Sequence, residues 1–365
     1  MLKRNADRIL IVSVLLLVAL GVVMVYSTSF MVALEKYGDK YFFVKKHIIY
    51  TLMGFAAFFV ALKLPYRVYR TLAPVLFVVA VVLLFLIFVP GVGHKVGGAR
   101  RWIDAGLIRF QPSEVAKLSM VVFMAYLLEK KKDKIKDFYS GFLPCVVLPA
   151  IPIGLVMAEP DFGTSVTMAM LLLFMAFIGG VRASYIGGLV VASLPVVYVV
   201  ITSFDYMTRR IVAFLDPWKD PGGAGFQIIQ SFLAFGSGGL SGVGLGEGRL
   251  KLFYLPEAHT DFIFSIIGEE LGLIGVTAVI VLYGGILLSG MVIAKNSKEL
   301  FGTYLAAGIT LMLTLQALIN MAVVLGMLPP KGLPLPFLSY GGTSLMVSLA
   351  AVGILLNIYA AEGDR

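Results

Sequence analysis

The chain has 365 residues, of which 59% are hydrophobic and only 14% are charged, and its mean hydropathy is +0.94. Soluble domains are roughly half apolar and roughly one quarter charged, so this composition excludes a water-soluble globular protein and a disordered chain. The 30 Lys and Arg residues against 21 Asp and Glu residues give a net charge of +9, which indicates an anionic partner such as a lipid or a nucleic acid. The single cysteine, Cys145, excludes an internal disulfide and a cysteine-based zinc site.

Ten apolar runs predict membrane-spanning segments, because a bilayer core about 30 Å thick needs roughly 20 apolar residues per helix. They are residues 9–27, 47–62, 72–90, 112–128, 141–158, 164–180, 185–202, 262–294, 303–326 and 343–361. The eighth run is too long for one straight span, so it is either tilted or begins as an interfacial segment. The sequence therefore predicts an all-α polytopic membrane protein with ten transmembrane helices in a single domain, residues 1–365, and with the first run as an uncleaved anchor.

Basic residues are densest in one set of the short loops between these runs. They are Lys3, Arg4, Arg8, Lys63, Arg67, Arg70, Lys130, Lys131, Lys132, Lys134, Lys136, Arg182, Lys295 and Lys298. By the positive-inside rule this side is cytoplasmic, with both termini inside. The longer and chemically richer loops, above all the large loop of residues 203–260, then face the extracytoplasmic side, where we expect the chemistry.

Several basic residues stand in the outward loops, where the positive-inside rule prefers fewer. Arg100 and Arg101 precede Trp102 at a helix mouth, which is typical of interfacial anchoring, but a guanidinium group also binds phosphate in bidentate fashion. Lys331 is the one charge of the last outward loop, residues 328–344, and it is open to the same two interpretations.

The largest outward loop contains TRRIVAFLDPWKDP, which predicts a short amphipathic helix that ends before Pro217. It continues through a glycine-rich run, residues 236–248. This run lacks the Gly-Lys-Ser/Thr ending of a Walker loop and misses the G-x-G-x-x-G spacing. A close-packed loop is therefore favoured over a nucleotide site.

Three ionisable residues, Glu257, His259 and Asp261, lie where this loop enters the membrane. If Pro256 is the first helical residue, Glu257 and Asp261 are four apart on one helix face. A carboxylate at a helix start is also a favourable partner of the helix dipole. From the spacing alone, capping and catalysis both remain open.

Ionisable residues within predicted spans cost a few kcal/mol each on insertion, so each is a candidate for function. Glu114 and Lys117 are three apart on the fourth helix and can form an ion pair, which in the simplest interpretation is structural. Glu269 and Glu270 are adjacent and cannot share one helix face, so at least one must meet a polar partner or be protonated. Asp161 stands between the fifth and sixth helices, where capping is the simplest role.

Five segments, taken together and in order, resemble the signatures of one family. They are GGARRWIDAGLIRFQPSEVAK, EPDFGTS, GFQIIQSFLAFGSGGLSGVGLG, YLPEAHTDFIFSIIGEELG and LPLPFLSYGGTS. Along essentially its whole length the chain is similar to the SEDS glycosyltransferases (shape, elongation, division and sporulation), which polymerise lipid II into peptidoglycan strands. MVYSTS at the end of the first helix and Lys331 resemble the cell-division members more than the elongation members, whereas SYGGTS is as common in the latter.

The resemblance implies roles for particular residues by motif. The family's catalytic aspartate falls on Asp261, its intramembrane ion pair on Glu114 and Lys117, and two of its basic positions on Arg101 and Lys331. It also implies a class B penicillin-binding protein as partner, regulation by the division complex, a divalent cation (Mg or Mn) at an unknown position, and a place in the bacterial cytoplasmic membrane. No organic cofactor is expected.

On this resemblance, Asp261 is the expected general base for the acceptor hydroxyl in an inverting glycosyl transfer. The candidate substrate-binding residues are Arg101, Lys331, Glu257, His259, Arg209 and Arg210. The cationic ones among them, or a divalent cation, would stabilise the departing undecaprenyl diphosphate.

Three other interpretations remain open: an elongation polymerase with the same chemistry, a lipid II flippase, and a structural division scaffold. In a flippase, the intramembrane residues Glu114, Lys117, Glu269 and Glu270 would line a substrate path. The sequence shows no inverted repeat and no pair of matching broken helices, and the functional residues crowd one face rather than the midplane. These observations favour the enzyme.

Overall fold

The computed structural model describes residues 2–96, 99–104, 106, 109–251 and 259–363. The helices within them are α1 Leu2–Tyr37, α2 Phe42–Lys63, α3 Tyr66–Leu86, α4 Pro112–Lys130, α5 Leu143–Ala158, α6 Phe162–Ile178, α7 Ala183–Ser203, α8 Asp205–Leu215, α9 Phe226–Gly238, α10 Ile263–Asn296, α11 Leu300–Val324 and α12 Gly342–Gly363. The strands are β1 Gly93–Val96, β2 Ala99–Asp104 and β3 Arg109–Phe110. Short 3-10 helices at Lys132–Lys134 and Pro217–Lys219 and a π-helical turn at Phe138–Phe142 complete the connections.

The ten predicted runs coincide with α1 to α7 and α10 to α12. Within the described residues, eight helices are long and apolar enough to cross a membrane. The other two of the ten are α6, which has 17 residues, and α4, whose 19 residues include Glu114, Lys117, Glu129 and Lys130. The nearly all-helical membrane fold is thus confirmed, whereas the count of ten spans stays a prediction.

Alternate connections meet at one end of the helix bundle, which we call the loop end. It consists of the described parts of residues 38–41, 87–111, 159–161, 204–262 and 325–341. Hydrogen bonds join 87–111 to 159–161 and 204–262 to 325–341. Among the eight apolar helices α11 is the most enclosed, with 78% of its most apolar stretch buried, whereas no residue of α7 is buried. The helix bundle is therefore arranged around a central α11, and α7 stands at its edge.

The long tenth helix is interrupted at Gly272, whose φ of +62° and ψ of −159° suit glycine alone. The interruption leaves four backbone groups without their partners within the helix, and the glycine-rich run supplies replacements. These bonds join Val243 N–H to Glu269 O (3.0 Å), Gly244 N–H to Glu270 O (3.1 Å), Leu273 N–H to Gly239 O (3.0 Å) and Ile274 N–H to Leu240 O (3.2 Å). The glycine-rich run is thus a close-packed loop, as predicted, and it satisfies the backbone that the break exposes.

A small antiparallel sheet in the order β1-β2-β3 connects α3 to α4 and is absent from the all-α prediction. Its strands are too short and too rich in glycine and charge to stand out from a loop in the sequence. The amide of Arg109 in β3 donates a 3.1 Å hydrogen bond to the hydroxyl of Tyr50 in α2, which attaches the sheet to the bundle. Because Arg101 lies in β2, the sheet sets the position of that side chain.

The described part of residues 203–260 holds two α-helices where the sequence predicts one. The predicted amphipathic helix is α8, which ends at Leu215, before Pro217. The second helix, α9, is missing from the prediction because its sequence, FQIIQSFLAFGSG, runs directly into the glycine-rich segment. It is held by Ser231, whose hydroxyl contacts that of Ser265 (2.8 Å) and donates to the carbonyl of Val324 (2.6 Å).

Candidate active site

A cavity of about 390 Å³ lies at the loop end between α6, α7 and α8. Its charged lining consists of Arg101, Asp161, Arg210, Asp261 and Lys331. Its apolar lining includes Val166 of α6 and Val196, Val197, Val200 and Ile201 of α7. The structure therefore brings four of the predicted site residues, together with Asp161, into one cavity that is charged in one part and apolar in another.

Asp261 lies in a turn just before α10, which begins at Ile263. The expectation that it shares a helix face with Glu257 is therefore wrong for Asp261, and Glu257 itself lies outside the described residues. The carboxylate faces the Lys331 loop, because a Cβ added at Gly332 would lie 3.0 Å from Asp261 Oδ2. The base candidate and the lysine candidate thus come from two chain segments that touch.

The other predicted residue of this turn, His259, anchors it through ring packing. Its imidazole lies 4.9 Å from the ring of Phe43 and 5.8 Å from the ring of Tyr340, centroid to centroid. Its carbonyl accepts a 2.9 Å hydrogen bond from the amide of Tyr340. His259 does not line the cavity, and its substrate-binding role stays a prediction.

Arg101 reaches across from β2 to the junction of α5 and α6. Its Nη2 donates to the carbonyl of Pro160 at 2.5 Å, and its Nε donates to the carbonyl of Glu159 at 3.4 Å. These bonds fix the guanidinium beside two acidic side chains, Glu159 and Asp161. Its charge opposes the rise in the pKa of both carboxyl groups that their burial causes.

Asp161 caps α6 as predicted, since its carboxylate accepts from the amide of Thr164 at 3.3 Å and from the hydroxyl of the same residue at 2.9 Å. It also lines the cavity. Its neighbour Glu159 is 1% exposed, and neither of its carboxylate oxygens has a hydrogen-bond partner among the described residues. Burial, with the nearby Asp161 adding to it, raises the pKa of Glu159 to about 8. Glu159 is not among the predicted site residues, because a glutamate beside a proline in a loop is usually exposed and its burial cannot be inferred from the sequence.

Arg210 and Lys331 supply two further positive charges to the cavity. Arg210 Nη1 donates to the carbonyl of Pro330 at 2.8 Å, and its guanidinium stacks 4.2 Å from the ring centroid of Tyr206. Burial lowers the pKa of Arg210, and the Asp261 carboxylate opposes that effect, so the two groups interact. Burial also lowers the pKa of Lys331.

Arg209, the neighbour of Arg210 on α8, points elsewhere. It lines a separate small cleft with Asp216, Lys219 and Asp220. Adjacent residues of a helix face different directions, so only one of the two arginines can meet the cavity. The predicted role of Arg209 in substrate binding has no support from this placement.

The intramembrane pair of Glu114 and Lys117 is formed and buried, with Lys117 Nζ 2.8 Å from Glu114 Oε1. Lys117 Nζ also donates to Gln316 Oε1 of α11 at 2.5 Å, and Gln316 Nε2 donates to the carbonyl of Pro334 at 2.8 Å. The pair does not line the cavity. It is connected through Gln316 to the loop that carries Lys331.

The adjacent glutamates of α10 both meet polar partners in the glycine-rich region. Glu269 Oε1 accepts from the amides of Arg249 (2.7 Å) and Leu250 (3.3 Å). Glu270 Oε1 lies 2.5 Å from Lys251 Nζ. The prediction that at least one of them needs a partner is confirmed, and both act away from the cavity.

Among the described residues, no three His, Cys, Asp or Glu side chains are grouped closely enough to hold a metal ion. Among the described residues that line the cavity, two carry a carboxylate, Asp161 and Asp261, and Asp161 is engaged in capping α6. The described residues therefore assign no position to the divalent cation that the resemblance implies, and the cation stays a prediction.

Comparison with known proteins identifies the family of the chain. Residues 7–363 match the family described as cell cycle protein and named for FtsW, RodA and SpoVE. A probable peptidoglycan glycosyltransferase FtsW of Geobacter sulfurreducens is 48% identical over 352 residues, which cover 96% of this chain and 94% of that protein.

Two solved structures share the fold over nearly the full length. One is a chain from a peptidoglycan synthase complex in which polymerization and crosslinking are coordinated, with a TM-score of 0.80, 30% identity and 98% coverage of both chains. The other is the rod shape determining protein RodA of Thermus thermophilus, with a TM-score of 0.71, 26% identity, and coverage of 97% of this chain and 96% of that chain.

Proposed function

The chain belongs to the family of FtsW, RodA and SpoVE cell cycle proteins, and we propose that it is a peptidoglycan glycosyltransferase of cell division that polymerises lipid II. The observation that carries this function is the cavity in which the Asp261 carboxylate meets three cations, Arg101, Arg210 and Lys331. A base and an anion-binding set are the two things that glycosyl transfer from a diphosphate donor requires. The 48% identity to an FtsW protein, against 26% to a RodA protein, supports division over elongation.

The two-part lining of the cavity suits a lipid-linked donor. The polyprenyl chain of lipid II is apolar and stays in the membrane, while its diphosphate and sugars are polar. Valines of α7, the helix without a buried residue, form the apolar part, and the cations form the polar part. If the arginines bind the diphosphate, the polyprenyl chain attached to it lies along α7.

The reaction is one displacement with inversion. The 4-hydroxyl oxygen of the acceptor N-acetylglucosamine bonds to the anomeric carbon of the donor N-acetylmuramic acid, while the bond from that carbon to the diphosphate breaks. Asp261 takes the proton of the attacking hydroxyl, a step that contributes about 10²–10⁴-fold in comparable enzymes. The electron pair of the broken bond leaves with undecaprenyl diphosphate.

Stabilisation of the leaving diphosphate falls to the cations, because charge develops there in the transition state. The backbone carbonyls of Pro160 and Pro330 hold Arg101 and Arg210 in place before substrate arrives. Such fixed groups need little reorganisation during the reaction. Lys331 adds a third charge from the segment that touches Asp261.

The loop end faces the extracytoplasmic side in this proposal, with both termini in the cytoplasm, since the denser basic residues lie at the opposite end. The division septum is the place of action. A class B penicillin-binding protein is the partner, because it crosslinks the strands that the chain makes, and the likeness to a chain of a peptidoglycan synthase complex supports it.

The test is polymerisation of fluorescent lipid II by the purified chain in detergent, with and without a class B penicillin-binding protein. We expect glycan strands from the wild type and none above background from Asp261→Asn. Asp39→Asn is the matched control, because that carboxylate is outside the cavity and pairs with Lys45. It should leave polymerisation unchanged.

Two results contradict the proposal. In the first, the wild-type protein moves lipid II across the membrane of proteoliposomes but makes no glycan strand even with the partner present. The chain is then a transporter. Asp261→Asn with near wild-type polymerisation removes Asp261 as the base.

A further inference from the structure

Asn320 of α11 connects the two segments that carry the proposed base and the proposed lysine. The side chain is 1% exposed. Its Nδ2 donates one hydrogen bond to the carbonyl of Asp261 (2.8 Å) and a second to the carbonyl of Leu333 (2.7 Å). Both hydrogens of the side-chain amide are thus donated to backbone carbonyls of segments that flank the cavity.

These two segments come together only in the fold, and both line the cavity through neighbouring residues. Asp261 lines it directly, and Lys331 and Gly332 precede Leu333 by two residues and one. The segments are already in contact, since Gly332 abuts the Asp261 carboxylate. Asn320 therefore sets the separation of the two segments. It lies on α11, the most enclosed of the eight apolar helices.

The second support of this arrangement is one helical turn away on α11. Gln316 donates to the carbonyl of Pro334 at 2.8 Å and accepts from Lys117. Residues four apart share a helix face, so Gln316 and Asn320 present their amides to consecutive parts of the same loop. Gln316 joins the loop to Lys117, whereas Asn320 joins the loop to the Asp261 segment.

The polar contacts of Asn320 are all made by its donor group. Its Oδ1 is buried and has no hydrogen-bond partner among the described residues. A buried acceptor without a partner is unfavourable. What the side chain contributes is its pair of donated bonds, and both end at the cavity.

We infer that Asn320 is a positioning residue, whose amide group holds the Asp261 turn and the Lys331 loop at the separation that the reaction needs. The inference rests on the proposed function, in which Asp261 is the base and Lys331 helps the leaving group. It assigns to Asn320 no contact with substrate. Its effect is on the geometry of the two groups that do make contact.

Two replacements of similar size remove the amide donors: Asn320→Leu and Asn320→Asp. The first removes both donors and the second keeps at most one, the O–H of a protonated carboxyl, so neither side chain can hold both segments. A displacement of about 1 Å can cost about 100-fold in rate. We expect both variants to lower the turnover of lipid II by about 100-fold, with the KM for lipid II changed by less than about threefold.

Thr314→Val is the matched control on the same helix. Its hydroxyl donates only to the carbonyl of Thr310, one turn back within α11, so valine removes a hydroxyl without touching the loop end. We expect wild-type turnover from this variant.

Hydrogen exchange gives a readout that does not depend on activity. The amides of residues 259–262, 331–333 and 335 should exchange faster in both Asn320 variants than in wild type, and at the wild-type rate in Thr314→Val. Unchanged exchange in either segment, turnover near wild type in both Asn320 variants, or an equal loss in Thr314→Val each overturns the inference.

Failure of the proposed function is distinguishable from failure of this inference. If Asp261→Asn retains full activity, the base assignment falls, and the exchange data still show whether Asn320 holds the two segments. If Asp261→Asn is inactive and the Asn320 variants are fully active, only the positioning role falls.

Discussion

Lys251 Nζ lies 2.5 Å from Glu270 Oε1 in an ion pair whose side chains are 1% and 0% exposed. The hydroxyl of Ser27 in α1 donates to the same carboxylate at 2.7 Å, and Lys251 Nζ donates to the carbonyl of Gly246 at 2.7 Å. The pair thus ties the glycine-rich run to α1 and α10. Loss of one partner leaves a buried charge uncompensated, which costs about 3–5 kcal/mol. We expect Glu270→Gln and Lys251→Met each to lower the free energy of unfolding in detergent by about that amount.

The exposed pair of Lys45 and Asp39, with the same kind of contact at 2.7 Å, is the control. Its side chains are 65% and 38% exposed, so solvent screens the charges and its loss should leave the melting temperature nearly unchanged. Replacing Lys251 and Glu270 together by Met and Leu should recover most of the lost stability, because no lone charge remains. Equal melting temperatures for the buried and the exposed single variants would contradict this account.

The glycine-rich run should tolerate side chains poorly where it supports the break in α10. Gly242 has a φ of +80°, and a Cβ there would press on the carbonyl of Glu270. A left-handed residue costs about 1–2 kcal/mol, and overpacking adds a similar amount. We therefore expect Gly242→Ala to lower the free energy of unfolding by about 2–4 kcal/mol, measured by thermal unfolding in detergent.

Gly284→Ala is the matched control within α10, since nothing lies within 4 Å of an added Cβ there and its φ is not positive. Alanine favours a helix interior over glycine by about 0.5–1 kcal/mol, so this variant should be as stable as wild type or slightly more so. Equal stabilities of the two alanine variants would mean that the packing of the glycine-rich run against the break in α10 does not stabilise the protein.

Much of the fold follows from the sequence, because a 20-residue apolar run in a membrane protein has few alternatives to a helix. The sequence also identifies Asp261, Arg101, Arg210 and Lys331, which the fold brings to one cavity. It does not separate Arg209 from Arg210, because the direction of a short amphipathic helix depends on what it packs against.

The supporting residues of the site are weakly marked in the sequence, and their contacts in three dimensions identify them. Gln316 and Asn320 are two uncharged amides in an apolar helix, and their partners are backbone carbonyls of distant loops. A signal exists, since polar residues four apart within a span are candidates for function, but attention to charge alone passes over them. Glu159 escapes for a related reason, since its burial depends on the packing of α5 against neighbouring elements.

The two adjacent arginines of α8 offer a test of the cavity by charge removal. Arg210 lines the cavity and Arg209 lines another cleft. A hydrogen bond to a charged group contributes about 1.5–3 kcal/mol, so Arg210→Gln should reduce kcat/KM for lipid II by about 10- to 100-fold. Arg209→Gln should remain within about twofold of wild type in the same assay. Loss in Arg209→Gln with none in Arg210→Gln would place the diphosphate outside the cavity.

The stability of the protein should depend on pH through Glu159, because burial raises the pKa of this carboxyl from the ordinary value of 4.5 to about 8. Below about pH 4.5 this carboxyl is protonated in both folded and unfolded chains, so its ionisation does not affect stability there. Between the two pKa values only the unfolded chain ionises, so unfolding releases a proton and stability falls as pH rises. Above about pH 8 both states are ionised and the loss is complete.

Glu159→Gln removes this titration and keeps the shape of the side chain. The melting temperature of the variant, taken relative to wild type in the same detergent, should therefore rise steadily between about pH 5 and pH 8 and level off above that range. Asp133→Asn, on the exposed loop between α4 and α5, is the control for replacing a carboxyl group by an amide. A constant difference between Glu159→Gln and wild type across this range would mean that Glu159 is ionised in the folded protein, with the positive charge of Arg101 outweighing burial.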